Sequence, residues 1–247
     1  MLIKPLKTRI FREKENLLEF ILKYVKKPQE NSILVVTSKI VALSEGRTVV
    51  CVNEEEKIKL IKKESSFALR TKHTWLTVKD GMVMASAGID ESNANGKIIL
   101  LPKDSFKSAE MIRNILRKKF NLKNLGVLIT DSRLFPLRAG VVGVALGYAG
   151  FSGVKNYIGK KDIFGREFKM SRTDVADSLA TSAVLAMGEG KERQPLALIT
   201  GAPAVFTDKV NRGELVIDPK KDIYAPLFAN LKMLNYTKNA KTHKHRK

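Results

Sequence analysis

The sequence predicts an α+β fold with mixed, largely antiparallel sheets and flanking helices. Three observations predict it. Short runs of apolar and β-branched residues, of strand length, are interspersed with longer segments of helical periodicity. The two kinds follow one another without the regular strand-helix-strand alternation of a doubly wound sheet. The pair Asp80-Gly81 separates two strand-like runs and marks a hairpin. With 247 residues and 44% hydrophobic content, the chain can bury the core that such a fold needs.

The elements follow in chain order. Asn16 to Lys26 places Leu17, Leu18, Phe20, Ile21, Tyr24 and Val25 at helical spacing. Ser32 to Val41 is rich in β-branched residues and reads as a strand. Glu54 to Lys63 reads as a short charged helix, Thr74 to Ala87 as the hairpin, and Lys97 to Pro102 as another strand. Ser105 to Phe120 is a helix with Ser105 as its expected cap and Met111, Ile112, Ile115 and Leu116 as its apolar face. Leu125 to Thr130 and Val141 to Leu146 are strands. Asp174 to Met187 is an Ala-rich helix, capped by Ser171 or Thr173, with Val175, Leu179, Ala183 and Leu185 on its apolar side. Pro195 to Thr200 is a buried strand. No repeat or linker divides the chain. A catalytic unit over residues 1–233, with room for two interleaved subdomains, is followed by a basic tail over 234–247 that is expected to be disordered.

Composition narrows the function. No apolar run of transmembrane length occurs, and the N-terminus lacks the apolar region of a signal peptide, so a cytoplasmic location without membrane association is expected. One cysteine excludes an internal disulfide and, with three histidines, leaves no Cys/His zinc cluster. The net charge of +20 admits nucleic acid, or an anionic substrate drawn in by the summed field. Only Lys238 to Lys247 is densely basic, and no zinc finger or aromatic RNA-binding signature accompanies it. Nucleic-acid binding is therefore the alternative reading. The chain has neither a GxxxxGK[ST] loop nor a GxGxxG fingerprint. Most of glycines 140, 143, 147 and 150 read as close backbone packing in a strand.

Three carboxylates stand at the ends of ordered elements. Asp90 follows the apolar Met82-Val83-Met84 run, in Ala87 to Asn93. Asp131, with Ser132, follows Gly126 to Thr130, and Glu189 follows the Ala-rich helix. Hard divalent ions take such carboxylate, hydroxyl and water oxygens, so the three are candidates for a metal and phosphate site. The ordinary alternative for an Asp after a strand is a turn or a cap.

The motifs TSKIVALSEGR (Thr37 to Arg47), AGIDESN, LITDS, RAGVVGVALGYAG, IGKKDIFGRE, VADSLA and MGEG occur in the order seen in the coenzyme F-420 γ-glutamyl ligases, and the chain resembles that family from its N-terminus to about Gly201. The resemblance implies an intertwined homodimer, and an enzyme that uses GTP with Mg²⁺ or Mn²⁺. Two such ions are expected, with a monovalent cation as a further candidate. The implied reaction joins L-glutamate to the carboxylate of a deazaflavin precursor. By motif, Asp90, Asp131, Ser132 and Glu189 would hold metal. Ser38, Asn93 and the loop Met187 to Gln194, including Gly188 and Gly190, would contact the nucleotide. Arg138 and Arg166 are candidates to grip phosphate or carboxylate. Where the family has a Gly-Arg pair after its ITD motif, this chain has Arg133-Leu134-Phe135-Pro136-Leu137, and only Arg138 clearly matches. That departure bears on the acceptor: glutamylation of a folate or pterin by the same chemistry is the alternative to the deazaflavin.

Overall fold

The computed structural model describes residues 1–229; the expected basic tail, 234–247, lies outside the described residues. In chain order the elements are β1 (Leu2–Leu6), α1 (Leu17–Tyr24), β2 (Ser32–Thr37), α2 (Ser38–Ser44), β3 (Thr48–Val49), α3 (Glu54–Glu64), β4 (Phe67–Arg70), β5 (Trp75–Lys79) and β6 (Met82–Ala85). They continue with β7 (Ile98–Ile99), α4 (Ser105–Phe120), β8 (Leu125–Leu134), β9 (Val141–Ala149), β10 (Val154–Asn156), β11 (Arg172–Asp174), α5 (Val175–Met187), β12 (Leu196–Thr200) and α6 (Ala225–Ala229). The fold is α+β: β2 and β8 pair in parallel, and the other paired strands are antiparallel.

The chain forms two compact units. The first comprises Met1–Val49 and Asp90–Glu214. Its five-stranded sheet has the order β1-β12-β2-β8-β9. The inner strands β2, β8 and β12 carry near-continuous apolar runs, and Ile33, Leu34, Val35, Val36, Val127, Leu128 and Ile129 are fully buried, as strands covered on both faces must be. Helices α4 and α5 both pack on β9. Gly143 and Gly147 permit this. A Cβ on Gly143 would lie 2.4 Å from the Ala180 carbonyl oxygen of α5, and one on Gly147 would lie 2.4 Å from the Phe106 amide of α4.

The second unit comprises, among the described residues, Val50–Ile89 and 215–229. Strands β4, β5 and β6 form an antiparallel sheet, closed at Asp80-Gly81, where both residues have positive φ as a type I′ hairpin turn requires. The Thr77 hydroxyl donates to the Met84 carbonyl at 2.7 Å and accepts from the Ala87 amide at 2.8 Å. The chain leaving the hairpin is thereby tied back to its central strand.

Several boundaries differ from expectation. Ser32 to Val41 is not one strand: β2 stops at Thr37 and α2 begins at Ser38, with Ile40, Val41 and Ala42 all buried. β-Branched content favours a strand locally, but the buried helix face prevails. Asp104, not Ser105, caps α4, accepting from the Lys107 amide at 2.8 Å. Asp174, not Ser171 or Thr173, caps α5, accepting from the Asp177 amide at 2.9 Å. The inward face of α4 is Ala109, Ile112, Arg113 and Leu116, while Met111 and Ile115 are exposed. Arg113 displaces them because its guanidinium donates to the Leu125 carbonyl at 2.7 Å and pairs with Asp208. On α5, Leu185 is exposed, and Ala176, Ala180, Val184 and Met187 are buried instead. The small alanines let α5 approach β9 along that side.

Candidate active site

The site is built in the first unit, where β2 and β8 end side by side. Their parallel register sets Thr37 opposite Thr130, so the next residues, Ser38 and Asp131, emerge together. The Ser38 hydroxyl donates to Asp131 Oδ1 at 2.9 Å across 93 positions of sequence. A register shift between Ile129 and Thr130 where β8 meets β9 falls just before Asp131, and such irregularities re-aim side chains at functional edges. Asp131 Oδ2 accepts from Arg133 Nη1.

Asp90 is held by a backbone bridge to Ile99, with bonds of 3.0 and 2.8 Å. Its Oδ1 accepts from the Ser92 amide at 2.7 Å, and its Oδ2 pairs with Lys39 Nζ at 2.7 Å. Lys39 also donates to the Ser92 carbonyl at 2.8 Å and to its hydroxyl at 3.0 Å. Burial pushes the Asp90 carboxyl up, but Lys39 and Ser92 together outweigh it and hold it below the usual aspartate range.

Glu189 follows α5. Its Oε1 accepts from the Ser132 hydroxyl at 2.5 Å. Asn93, in the left-handed region with φ 53°, donates from Nδ2 to the Gly190 carbonyl at 3.4 Å. The contacts close a ring: Asp90 to Lys39, Ser38 to Asp131, Ser132 to Glu189, and Gly190 back to Asn93. The loop after α5 is anchored at its far end, where the Arg193 carbonyl accepts from the Thr8 amide at 2.8 Å and the Pro195 carbonyl from the Thr37 amide at 3.0 Å.

The ring thus brings together Ser38, Asp90, Asn93, Asp131, Ser132, Glu189 and Gly190. Among the described residues, no three Asp, Glu, His or Cys side chains form a group that could hold a metal ion by themselves. The Met187 side chain is buried in the core, and the Gly188 amide closes α5 on the Val184 carbonyl at 2.9 Å, so at these two positions backbone oxygen is what remains for a ligand. Gln194 is half-buried just before β12. Arg138, at the exposed turn between β8 and β9, and Arg166, in the loop between β10 and β11, are exposed and are not joined to the ring. The Arg166 amide instead helps close an Asp162-centred turn, accepted by Asp162 Oδ1 at 2.9 Å.

Two residues that pair with acids of the ring escaped the sequence reading, Lys39 and Arg133. Both are cations beside candidate metal ligands. A cation within a motif and another two positions after an aspartate on one strand were the available signals.

Behind the ring lies a second acidic group. Asp177 Oδ1 accepts from the Ala145 amide of β9 at 2.8 Å, next to Asp174. Burial pushes Asp174 up to about 6, aided by the nearby charges of Asp177 and Glu214. Burial also raises Asp177, opposed by the Ala145 amide and by the charge of Arg133.

The model of the F420-0:Gamma-glutamyl ligase family matches residues 5–201. A coenzyme F420:L-glutamate ligase of Methanococcus maripaludis is 34% identical over 230 residues, covering 86% of this chain and 91% of that protein. The coenzyme F420:L-glutamate ligase of Archaeoglobus fulgidus is 32% identical over 210 residues, covering 78% and 84%, and that of Methanocaldococcus jannaschii 41% over 144 residues, covering 58% and 57%. A match over most of the chain, taking in every segment of the ring, shows that it belongs to the F420-0:gamma-glutamyl ligase family.

Proposed function

We propose that this ligase joins L-glutamate to the carboxylate of a coenzyme F420 precursor or a related acceptor, using GTP and divalent metal and passing through an acyl phosphate. The observation that carries the reading is the closed ring of Ser38, Asp90, Asn93, Asp131, Ser132, Glu189 and Gly190 at the ends of β2 and β8. The donor set fits Mg²⁺ or Mn²⁺, being all hard oxygen and free of thiolate or imidazole. Asp90 and Asp131 already face cations, so the site is built around positive charge. Mg²⁺ commonly takes only one or two carboxylates and leaves the rest of its shell to water and substrate phosphate, which suits a site without three pre-assembled acids. When bound, the ions supply charge neutralisation to the transferring phosphoryl group.

The chain's own residues bind and orient. Ser38 and Asn93 of the ring, with the backbone of Met187 to Gln194, would hold the nucleotide. Arg138 and Arg166, exposed between β8 and β9 and between β10 and β11, would grip anionic groups of the acceptor. The carboxylate must be activated because its oxygen is a poor leaving group. The γ-phosphoryl group would move from GTP to a carboxylate oxygen as its bond to the β-phosphate breaks and GDP leaves; the glutamate amine then attacks the acyl carbon, phosphate departs as the acyl C–O bond breaks, and the nitrogen gives up a proton to water or to the departing phosphate. A homodimer is part of this reading. Ile163, Phe164 and Met170 between β10 and β11, and Leu134, Phe135 and Leu137 between β8 and β9, are exposed apolar residues that a second copy would cover.

The test is phosphate release with GTP, Mn²⁺ and glutamate across a panel of deazaflavin and folate acceptors, with the ligated product identified by mass spectrometry. Release should require all three and one acceptor. Asp131→Asn keeps an acceptor for Ser38 but loses the charge, and should lower turnover by about 100-fold or more. Metal-dependent GTP binding without glutamate-dependent release would show a retained fold that does not turn over.

A further inference from the structure

Arg133 is nine-tenths buried, yet its Nε and Nη2 atoms have no hydrogen-bond partner among the described residues. Only Nη1 is engaged, with Asp131 Oδ2 and with the Ser132 carbonyl at 3.0 Å. Buried donors without partners are rare and costly, and a guanidinium carries a fork of donors made for two-point contact with a carboxylate. Asp131 does not fill that fork: only its Oδ2 meets the guanidinium, while its Oδ1 takes the Ser38 hydroxyl. A second carboxylate, Asp177 on α5, reaches the same stretch of sheet: its Oδ1 takes the amide of Ala145 on β9, next to Val144, which pairs with Asp131. Its side chain also bonds to Asp174, and Arg133 favours its charged form. Arg133 thus stands between two acids and is fully satisfied by neither.

We propose that Arg133 is a tethered counter-cation: it neutralises Asp131 while no divalent ion is bound, and transfers its guanidinium to Asp177 when Asp131 becomes a metal ligand. The physical reason is electrostatic. A half-buried Asp131 is disfavoured without a counter-charge, while a guanidinium and a divalent ion on the same carboxylate repel one another. A nearby second carboxylate resolves the conflict without exposing the arginine. Arg133 is then a positioning residue that sets when Asp131 is available, and it lies in the stretch where this chain departs from the family's ITD pattern. The inference rests on the metal role proposed for Asp131.

The test is Mn²⁺ binding to the full chain without nucleotide, measured by electron paramagnetic resonance at about pH 8. Arg133→Met removes the competing cation and should tighten binding about ten-fold. Asp177→Asn keeps the acceptor for Ala145 but removes the second resting place, and should weaken binding by a similar factor. A merely structural arginine predicts otherwise: both variants bind equally to wild type or both weaker, and either result overturns the proposal. Should Arg133→Met fail to fold, the ¹⁵Nε resonance of Arg133 in the wild-type chain gives the answer. It should shift and gain exchange protection as Mg²⁺ is added, and Mg²⁺ binding that leaves it unmoved overturns the proposal. Absence of Mn²⁺ binding in wild type and both variants would instead remove the metal reading, and this proposal with it.

Discussion

Asp174 does two things that oppose one another. Its side chain caps α5, where a carboxylate is favoured by the exposed amides and the helix dipole. It also lies beside Asp177 and near Glu214, itself fixed by the Tyr148 hydroxyl and the Gly153 amide, each at 2.7 Å. Burial and the neighbouring acids together push it up to about 6. The sign follows from linkage: a carboxyl raised in the folded state binds its proton more tightly there than in the unfolded chain. Stability is therefore greatest below about pH 4 as far as this group is concerned, and falls as pH rises through about 6. Asp174 is only half-buried, so solvent screening limits the loss to about 1 kcal/mol. Asn caps a helix as well as Asp but carries no charge. Asp174→Asn should stabilise the protein by about 1 kcal/mol at about pH 8 and have little effect at about pH 4. Urea unfolding at the two pH values checks this, and equal effects at both would show that the carboxylates do not repel.

At the scale of elements, α5 carries the link between packing and chemistry. It lies on β9 at Gly143, and its two ends reach Asp174 and the Glu189 loop. A methyl group at Gly143 would meet the Ala180 carbonyl at 2.4 Å and Val184 at 2.5 Å, so the helix would have to move as a body. Gly143→Ala should cost about 2–3 kcal/mol of stability, the range for overpacking, and should also slow turnover by displacing Glu189 from Ser132. Chemical denaturation and steady-state kinetics test both, and a stable variant with slow turnover would separate the two effects. Close packing was legible in the sequence at Gly143, Gly147 and Gly150, because glycines spaced along an apolar strand have few other uses; Gly140 has open space around it instead. The Asp80-Gly81 hairpin was legible for the same local reason. The start of α2 was not, since only tertiary burial distinguishes Ser38 to Ser44 from a continued strand. Asp90, Asp131 and Glu189 stood out as carboxylates at element ends, but the cations beside them, Lys39 and Arg133, did not. Ser38 reaches Asp131 only because β2 and β8 pair in parallel, and Lys39 meets an Asp90 that is itself held by its bridge to Ile99; both pairings are invisible in local pattern.

At the scale of the whole molecule the dominant quantity is the net charge of +20. Such a field attracts any polyanion, so it serves GTP and an anionic acceptor as readily as it would serve nucleic acid. The two uses differ in how they depend on salt and on the tail. Steering of a small anion acts on encounter, so raising salt from about 50 to about 300 mM should lower kcat/KM several-fold while kcat stays within about two-fold. Nucleic-acid binding depends on counterions released along the backbone, and its affinity falls as a steep power of salt concentration. Residues 234–247 contribute Lys238, Lys241, Lys244, Arg246 and Lys247 without a single acid. They also follow the segment that matches the family, which ends at residue 201. Removing 234–247 should therefore leave kcat unchanged, lower kcat/KM by less than about two-fold, and flatten the salt dependence of binding to generic RNA or DNA. Steady-state kinetics and a salt titration of nucleic-acid affinity on the same two proteins decide it. A large loss of kcat on deletion would mean that the tail takes part in catalysis. Unchanged nucleic-acid binding would place that affinity on the folded surface, where Lys and Arg are spread through helices such as α3 and α4 and where it would compete with the acceptor for the same field.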